Sequence, residues 1–364
     1  MSAVLSRRVS VDDRLMLRAG LAKGRRGAEA FARWRSPRDL SDVPLSTLRF
    51  LPLVAENQSG PDGTSGDPMV IKLWKIARFS WVRSRYSTGR ATMAMTVLAE
   101  AQVEFMVLKG MAVLELADQP LFLRPMDDLD IAVHPADAAA AFAALSAEGF
   151  TPKPYILESP MWQQRGLAWF LRYRHSIDLV EPGGAAIDLH WHPIYAARTQ
   201  AVAEHLWAGS VPGSLGGIPC RFTCAEDTLV HSIVHAVGDP NAGLRWAADT
   251  TTLVRSKGDA LRWDRVVETA RLCQISLEVA DALRFLDAEI DIAVPTEALA
   301  ALESLTWRER GRAWSSALER WLKEDHPRLI SPVDHAVRAL RVWRTTSGET
   351  PPASPVTSRG SADR

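Results

Sequence analysis

The spacing of apolar residues changes period twice along the chain, from helical to strand-like near residue 103 and back to helical from Ala225. Residues 12–34 alternate apolar and basic side chains at helical spacing, and Ser10 is placed to cap the segment. A short helix is predicted over 45–57, "LSTLRFLPLVAEN", followed by a Gly/Pro/Ser/Asp loop over 58–68. From Val70 to Gln102 the helical period returns, with Leu73, Ile76, Ala77 and Trp81 on one side.

"VEFMVLKG" then reads as a short apolar strand ending at Gly110, and "MAVLELA" as a short helix. "LDIAV" is a second strand, and "PADAAAAFAALSAEGF" a helix with Pro135 near its start and Gly149 past its end. "SIDLVEPGGAAIDLHWHP" predicts two strands around the turn Glu181-Pro182-Gly183-Gly184. Helical spacing resumes in "AEDTLVHSIVHAV", "GLRWAADTTTLVRS", "WDRVVETARLCQISLEVADALRFL" and "TWRERGRAWSSALERWLKE". The expected fold is therefore α/β (α+β): a small mixed-sheet core over 104–195, between an N-terminal helical region (1–103) and a C-terminal one (196–344). Residues 345–364 are Pro/Ser/Thr/Gly-rich and are expected to be disordered.

Composition narrows the partners. Lys plus Arg and Asp plus Glu number 43 each in 364 residues, so no net field draws the chain to nucleic acid or an anionic membrane. The first residues lack the apolar core of a signal peptide, and no apolar run approaches the ~20 residues that span a bilayer. Three cysteines are too few for a disulfide scaffold. The expectation is a cytoplasmic protein without membrane contact.

The candidate chemistry lies in "RPMDDLDIAV". On a strand, Asp128 and Asp130 project from one face while Leu129 and Ile131 point to the other. Two like charges so close raise each other's cost unless a cation joins them, and magnesium held by carboxylates and substrate phosphates is the usual answer. A solvated acidic face is the alternative for an Asp-x-Asp taken alone. Lys109-Gly110, however, ends the preceding strand and opens a helix, where free N–H groups can meet a phosphate. A third carboxylate, Asp188, lies on the later strand. That order of elements is what a two-metal phosphoryl-transfer site needs.

In these elements the chain resembles the nucleotidyltransferase superfamily shared by polymerase beta and the aminoglycoside nucleotidyltransferases. More narrowly it resembles the bacterial family of uncharacterised nucleotidyltransferases. The resemblance rests on Leu108-Lys109-Gly110, Arg124-Pro125-Met126-Asp127-Asp128-Leu129-Asp130 and Asp188-Leu189-His190-Trp191, with "LRFLPLVAEN", "HSIVHAV" and "LRWAAD" flanking them. It implies that Asp128, Asp130 and Asp188 hold Mg2+, with Asp188 helping to deprotonate an attacking hydroxyl. Gly110 and the N–H groups after it would hold nucleotide phosphates, with Lys109 as counter-charge and Arg124 as a further contact. The implied reaction moves a nucleoside monophosphate from a nucleoside triphosphate, ATP by default, to an acceptor hydroxyl. The alternatives are an inactive nucleotide- or peptide-binding member and a kinase-like phosphoryl transferase. The acceptor is open among small molecule, peptide and protein, with long RNA disfavoured by the neutral charge, and the C-terminal helices would bind it. Met111 departs from the superfamily, whose turn carries Gly-Gly or Gly-Ser, so the hydroxyl expected on phosphate is missing.

His190 shares a strand face with Asp188, where it could orient that carboxylate or contact the nucleotide. Asp178 competes with Asp188 for the third position. With a two-residue turn at Pro182-Gly183 they point to opposite faces, so only one can join the site and the Asp-Leu-His-Trp context favours Asp188; a one-residue change in loop length reverses the parity. Cys220, Cys224, His231 and His235 spell Cys-x3-Cys-x6-His-x3-His, a zinc-like set with a gap shorter than in fingers; the histidines are read as cleft or helix-contact residues. Asp249 follows Arg245 by four residues as an ordinary helix ion pair, or else reaches the acceptor. Lys109 has no obvious carboxylate partner nearby in sequence and is expected to be solvated until phosphate arrives.

Overall fold

A computed structural model describes residues 5–305, apart from 37–39, 41–42, 44, 61–64 and 240–242, together with residue 311. The helix expected in "TWRERGRAWSSALERWLKE" and the tail 345–364 lie outside the described residues. Among those described, seven strands form one mixed sheet: β1 (Phe105–Val107), β2 (Leu129–Val133), β3 (Thr151–Pro152), β4 (Ser176–Val180), β5 (Ala186–His190), β6 (Val211–Leu215) and β7 (Ile218–Phe222). Their order is β3-β4-β5-β2-β1-β7-β6. β2 runs parallel to β5 and β1 parallel to β7, and the other neighbours are antiparallel. The mixed α/β fold expected from the sequence is the one found. The β6–β7 hairpin, which had no assignment from periodicity, extends the sheet beyond β1.

Helix boundaries follow local chemistry. Ser10 and Asp13 form a capping box on helix Val11–Leu21. The predicted helix over 12–34 is two helices, because the chain breaks at Ala22-Lys23 and resumes at Gly24, whose φ is +61°. The long helix Pro68–Glu100 starts where the Asp67 carboxylate accepts the Met69 N–H at 2.8 Å, with Pro68 at its first position. Leu73 and Ala77 are buried as the pattern predicts, whereas Trp81 is exposed.

The two faces of the sheet have different covers. Leu129, Ile131, Val133, Ile177, Leu179, Ile187 and Leu189 pack into one apolar cluster with Ala91, Ala94, Met95 and Leu98 of the long helix. Each of the large side chains contributes about 1.5–3 kcal/mol by leaving water. From the opposite side Met106, Leu108 and Ala132 join a second cluster with Leu229, Ile233, Leu253 and Val254 of the helices Ala225–Gly238 and Arg245–Lys257. The acids of β2 and β5 belong to that second side.

The β4–β5 connection corrects the strand parity. Glu181 donates its N–H to the Ala185 carbonyl at 3.0 Å, and the Glu181 carboxylate accepts N–H groups from Gly183 and Ala185. The loop is one residue longer than a two-residue turn, so Val180 pairs with Ala186 and Asp178 with Asp188. Asp178 and Asp188 therefore share a face, contrary to the reading from the shorter turn.

The long helix also holds the segment that leads into β2. Ser84 is buried, and its Oγ accepts the Met126 N–H at 2.9 Å, two residues before Asp128. Ser84→Ala leaves that buried N–H without a partner and is expected to cost about 1–3 kcal/mol. Urea unfolding of the two proteins checks the value, and an unchanged midpoint would refute this anchoring role.

Candidate active site

The acidic face is built by register. The parallel pairing of β2 with β5 sets Asp130 beside Asp188, and the antiparallel pairing of β4 with β5 sets Asp178 on the other side of Asp188. Asp128 lies two residues before Asp130, ahead of β2. Into this face reaches Lys109, two residues after β1 and the start of helix Lys109–Ala117. Its φ of +47° is a left-handed conformation that a lysine seldom adopts without a local reason. Lys109 Nζ lies 2.5 Å from Asp130 Oδ1, 3.7 Å from Asp188 Oδ2 and 3.4 Å from His190 Nε2. Its side chain is only 20 % exposed, so the expectation of a solvated lysine is corrected. Its anions are remote in sequence and were brought to it by strand pairing.

His190 closes the group. Its Nε2 is 2.9 Å from Asp188 Oδ2 and 3.2 Å from Asp130 Oδ1. Burial opposes charge on every member, but the pairings win for the innermost four. Burial alone would lower the Lys109 pKa, yet Asp130 and Asp188 raise it. Burial would raise Asp130 and Asp188; Lys109 and His190 hold both well below the usual carboxylate range. Burial is the largest influence on His190 and lowers its pKa, but Asp188 and Asp130 together raise it overall. Asp128 behaves differently: burial, and then the charge of Asp130, push it up to about 6. Two acids thus share an ammonium and an imidazole whose charged form they favour, while a third acid beside them holds its proton more readily.

The donor set suits a divalent cation. One ligand atom from each of Asp130, Asp188 and His190 lies within 4.8 Å of the others, and among the described residues this is the one such group. Asp188 Oδ1 is buried with no hydrogen-bond partner, an oxygen such an ion would satisfy. Asp128 stands outside that compact group.

Gly110 serves packing against Arg124. A Cβ on Gly110 would come within 1.8 Å of Arg124 Nη1, so the guanidinium lies directly over the start of the helix. Arg124 is fixed there by two 2.8 Å hydrogen bonds, Nε and Nη2 donating to the two oxygens of Asp249. Asp249 is therefore the partner of Arg124, not of Arg245 four residues before it. A buried bidentate pair outcompetes a helix-surface one. Arg49, from the "LRFL" element, pairs with Asp127, as does Arg83 at 2.9 Å. Neither had been singled out.

Asp178 is engaged by Lys153 Nζ at 2.9 Å and by the Tyr155 hydroxyl. It lies on the acidic face but outside the compact group. The zinc set does not gather. Cys224 precedes the helix Ala225–Gly238, where its Sγ accepts from Arg265 Nε at 3.2 Å; burial, then Asp227, push its thiol up to about 12. Zinc needs thiolate, which this environment opposes. Burial, and then the charge of Lys109, lower the pKa of both His231 and His235, and His231 is buried within its helix.

No described helix is long and apolar enough to cross a membrane. None of the curated proteins matches the chain. Solved structures that show likeness to it include two nucleotidyltransferase-type proteins. The antibiotic-resistance factor ANT(2'')-Ia is 14% identical with a TM-score of 0.30, covering 64% of this chain and 97% of its own. An antigenic nucleotidyltransferase-like protein from Paracoccidioides brasiliensis is 15% identical with a TM-score of 0.34, covering 60% of this chain and 93% of its own. Residues 47–289, which carry the Lys-Gly turn, the Asp-x-Asp strand, the Asp188 strand and the arginines around them, match the family described as uncharacterised nucleotidyltransferase, and the chain belongs to that family.

Proposed function

We propose that the chain transfers a nucleoside monophosphate from a nucleoside triphosphate, with ATP the abundant donor, to an acceptor hydroxyl. The observation that carries this reading is the in-register pair Asp130–Asp188, with a buried, unbonded Asp188 oxygen, beside the opening of a helix. Asp130 and Asp188, with Asp128 at their edge, would hold magnesium. Bound there, the ion would neutralise charge on the transferring phosphoryl group and on pyrophosphate. The acceptor oxygen attacks the α-phosphorus, the bond to the β-phosphate bridging oxygen breaks, and pyrophosphate leaves with the electron pair. Asp188, oriented by His190, takes the hydroxyl proton and passes it to solvent. Lys109 exchanges Asp130 for the donor's phosphates, and Gly110 and Arg124 shape the mouth of the helix those phosphates approach. The acceptor is a small molecule, peptide or protein hydroxyl.

The Lys109–Asp130 pair also favours a second reading, a fold that binds nucleotide without turning it over, because the acids are already neutralised. Label decides between them. With magnesium and α-labelled ATP, wild type is expected to transfer label to acceptor and release pyrophosphate; γ-label reaching the acceptor instead would indicate phosphoryl transfer. Asp130→Asn should reduce transfer more than about 100-fold, beyond the loss typical of outer-sphere partners. It should also cost up to about 3–5 kcal/mol, since it removes the nearest anion of the buried Lys109 ammonium and leaves it only Asp188, at 3.7 Å. The double change Lys109→Met with Asp130→Asn should recover stability but not transfer.

A second expectation concerns pH. A cation needs Asp128 charged, and burial with the Asp130 charge raises its pKa to about 6. Magnesium–ATP binding should therefore weaken by up to about tenfold per unit as pH falls below that value. Dividing by the same titration of Asp128→Asn removes the protonation of ATP itself. For the metal-free protein the sign is opposite. A carboxyl whose folded pKa is raised stabilises the fold when protonated, so the advantage of wild type over Asp128→Asn should shrink as pH rises from about 4 to about 6. A ratio flat with pH would exclude Asp128 from the cation site.

A further inference from the structure

Beside the acidic face, three guanidinium groups converge on one cleft. Arg49, Arg124 and Arg245 line it, together with Asp249, Phe50 and Pro125. The nearby carboxylates are already committed. Asp249 gives both oxygens to Arg124, and Asp127 is shared by Arg49 and Arg83. Arg245 makes no ion pair among the described residues, although Asp249 stands one helical turn away from it.

Arg245 is also largely out of water. Burial, followed by the charges of Arg124 and Arg49, lowers its pKa to about 10, which leaves it cationic at neutral pH. A guanidinium held among two others without its own anion is unfavourable in a ligand-free protein, and it lacks the packing gain of an apolar side chain. Its planar donors suit an oxyanion presenting two oxygens, such as phosphate or carboxylate. The cleft adjoins the reacting centre. Arg124 lies over Gly110 at the mouth of helix Lys109–Ala117, and Arg124 and Arg245 both sense the charge of Asp128.

We propose that Arg245, with Arg49 and Arg124, forms an oxyanion pocket that receives the outer phosphates of the donor and holds pyrophosphate until its release. This assignment rests on the nucleotidyl-transfer reading above. The position of Arg124 at the helix mouth favours the donor as the source of the oxyanion over a phosphate or carboxylate on the acceptor. In this pocket Arg245 supplies the unmatched charge, Arg49 and Arg124 the fixed walls.

Calorimetric titration of pyrophosphate into the full chain, without magnesium, tests the pocket apart from turnover. Arg245→Gln is expected to weaken pyrophosphate binding at least about tenfold, as loss of charged hydrogen bonds does. Arg245→Lys should lose less, because it keeps the charge and gives up the planar fork. Binding of AMP should stay the same in all three. The melting temperature of ligand-free Arg245→Gln should equal or exceed that of wild type, whereas a purely structural arginine would lower it. Equal pyrophosphate affinity in wild type and Arg245→Gln, or no binding to wild type, would overturn the pocket. Competition then identifies the source. Saturating magnesium with an α,β-methylene ATP analogue should displace pyrophosphate, and simultaneous binding of both would overturn the donor assignment in favour of an acceptor oxyanion. Absence of label transfer with pyrophosphate binding still dependent on Arg245 would reject the nucleotidyl-transfer reading and leave the pocket standing.

Discussion

Two carboxylates set side by side on parallel strands cannot both stay charged out of water without cations between them. Asp130 and Asp188 are in that position, and Lys109 with His190 is the protein's own answer. Much of the surrounding structure follows from it. The left-handed backbone at Lys109 is found where the chain leaves β1 and the ammonium must reach β2 and β5. The histidine two residues after Asp188 is buried because its imidazole bridges both acids. A fully apolar β2 and β5 would pack without such devices, so the polar group is retained at a cost that a binding or catalytic role explains.

The scaffold keeps this expensive group in place by making the other side of the sheet inexpensive. Leu129, Ile131, Ile187 and Leu189 alternate with the acids and are buried against the long helix. Slipping either strand by one residue would put carboxylates into that apolar layer, so register is strongly specified. Around the charged side a second layer of ion pairs repeats the theme at larger radius. Arg124 with Asp249 and Arg49 with Asp127 bind the flanking helices to the turn that carries the acids. Positive charge exceeds negative at Arg245, where the cleft opens.

Most of the fold was legible because period and punctuation agree. Alternation in "LDIAV" and "AIDLH", the glycine turn and the Ala-rich helix each point to one element, and their order suits one sheet. What could not be read was pairing between distant segments. The faces of Asp178 and Asp188 hinged on a single loop residue, and the hydrogen bond from Glu181 to Ala185 settled it. Lys109 looked unpartnered because its partners lie on strands reached only through the register. Asp249 sat four residues from Arg245, and local spacing cannot anticipate that a bidentate contact with Arg124 wins. The arginines of "LRFLPLVAEN" and "LRWAAD" are plain in the sequence, but spacing alone pairs Arg245 with Asp249 and gives Arg49 no partner.

A site that satisfies its own acids must give something up when a ligand arrives, and this links the two ligands of the proposed reaction. For a cation to take Asp130, Lys109 has to leave a 2.5 Å contact, and each 1.4 kcal/mol so lost lowers cation affinity about tenfold. A triphosphate at the helix mouth offers the ammonium a new anion and removes most of that loss. The reverse also holds, since a cation on Asp130 frees Lys109 to meet phosphate, and linkage requires the two effects to be equal. On this exchange neither ligand alone gains what the pair gains together. In the proposed reaction, the lysine that neutralises these acids would then be the group that couples metal to nucleotide.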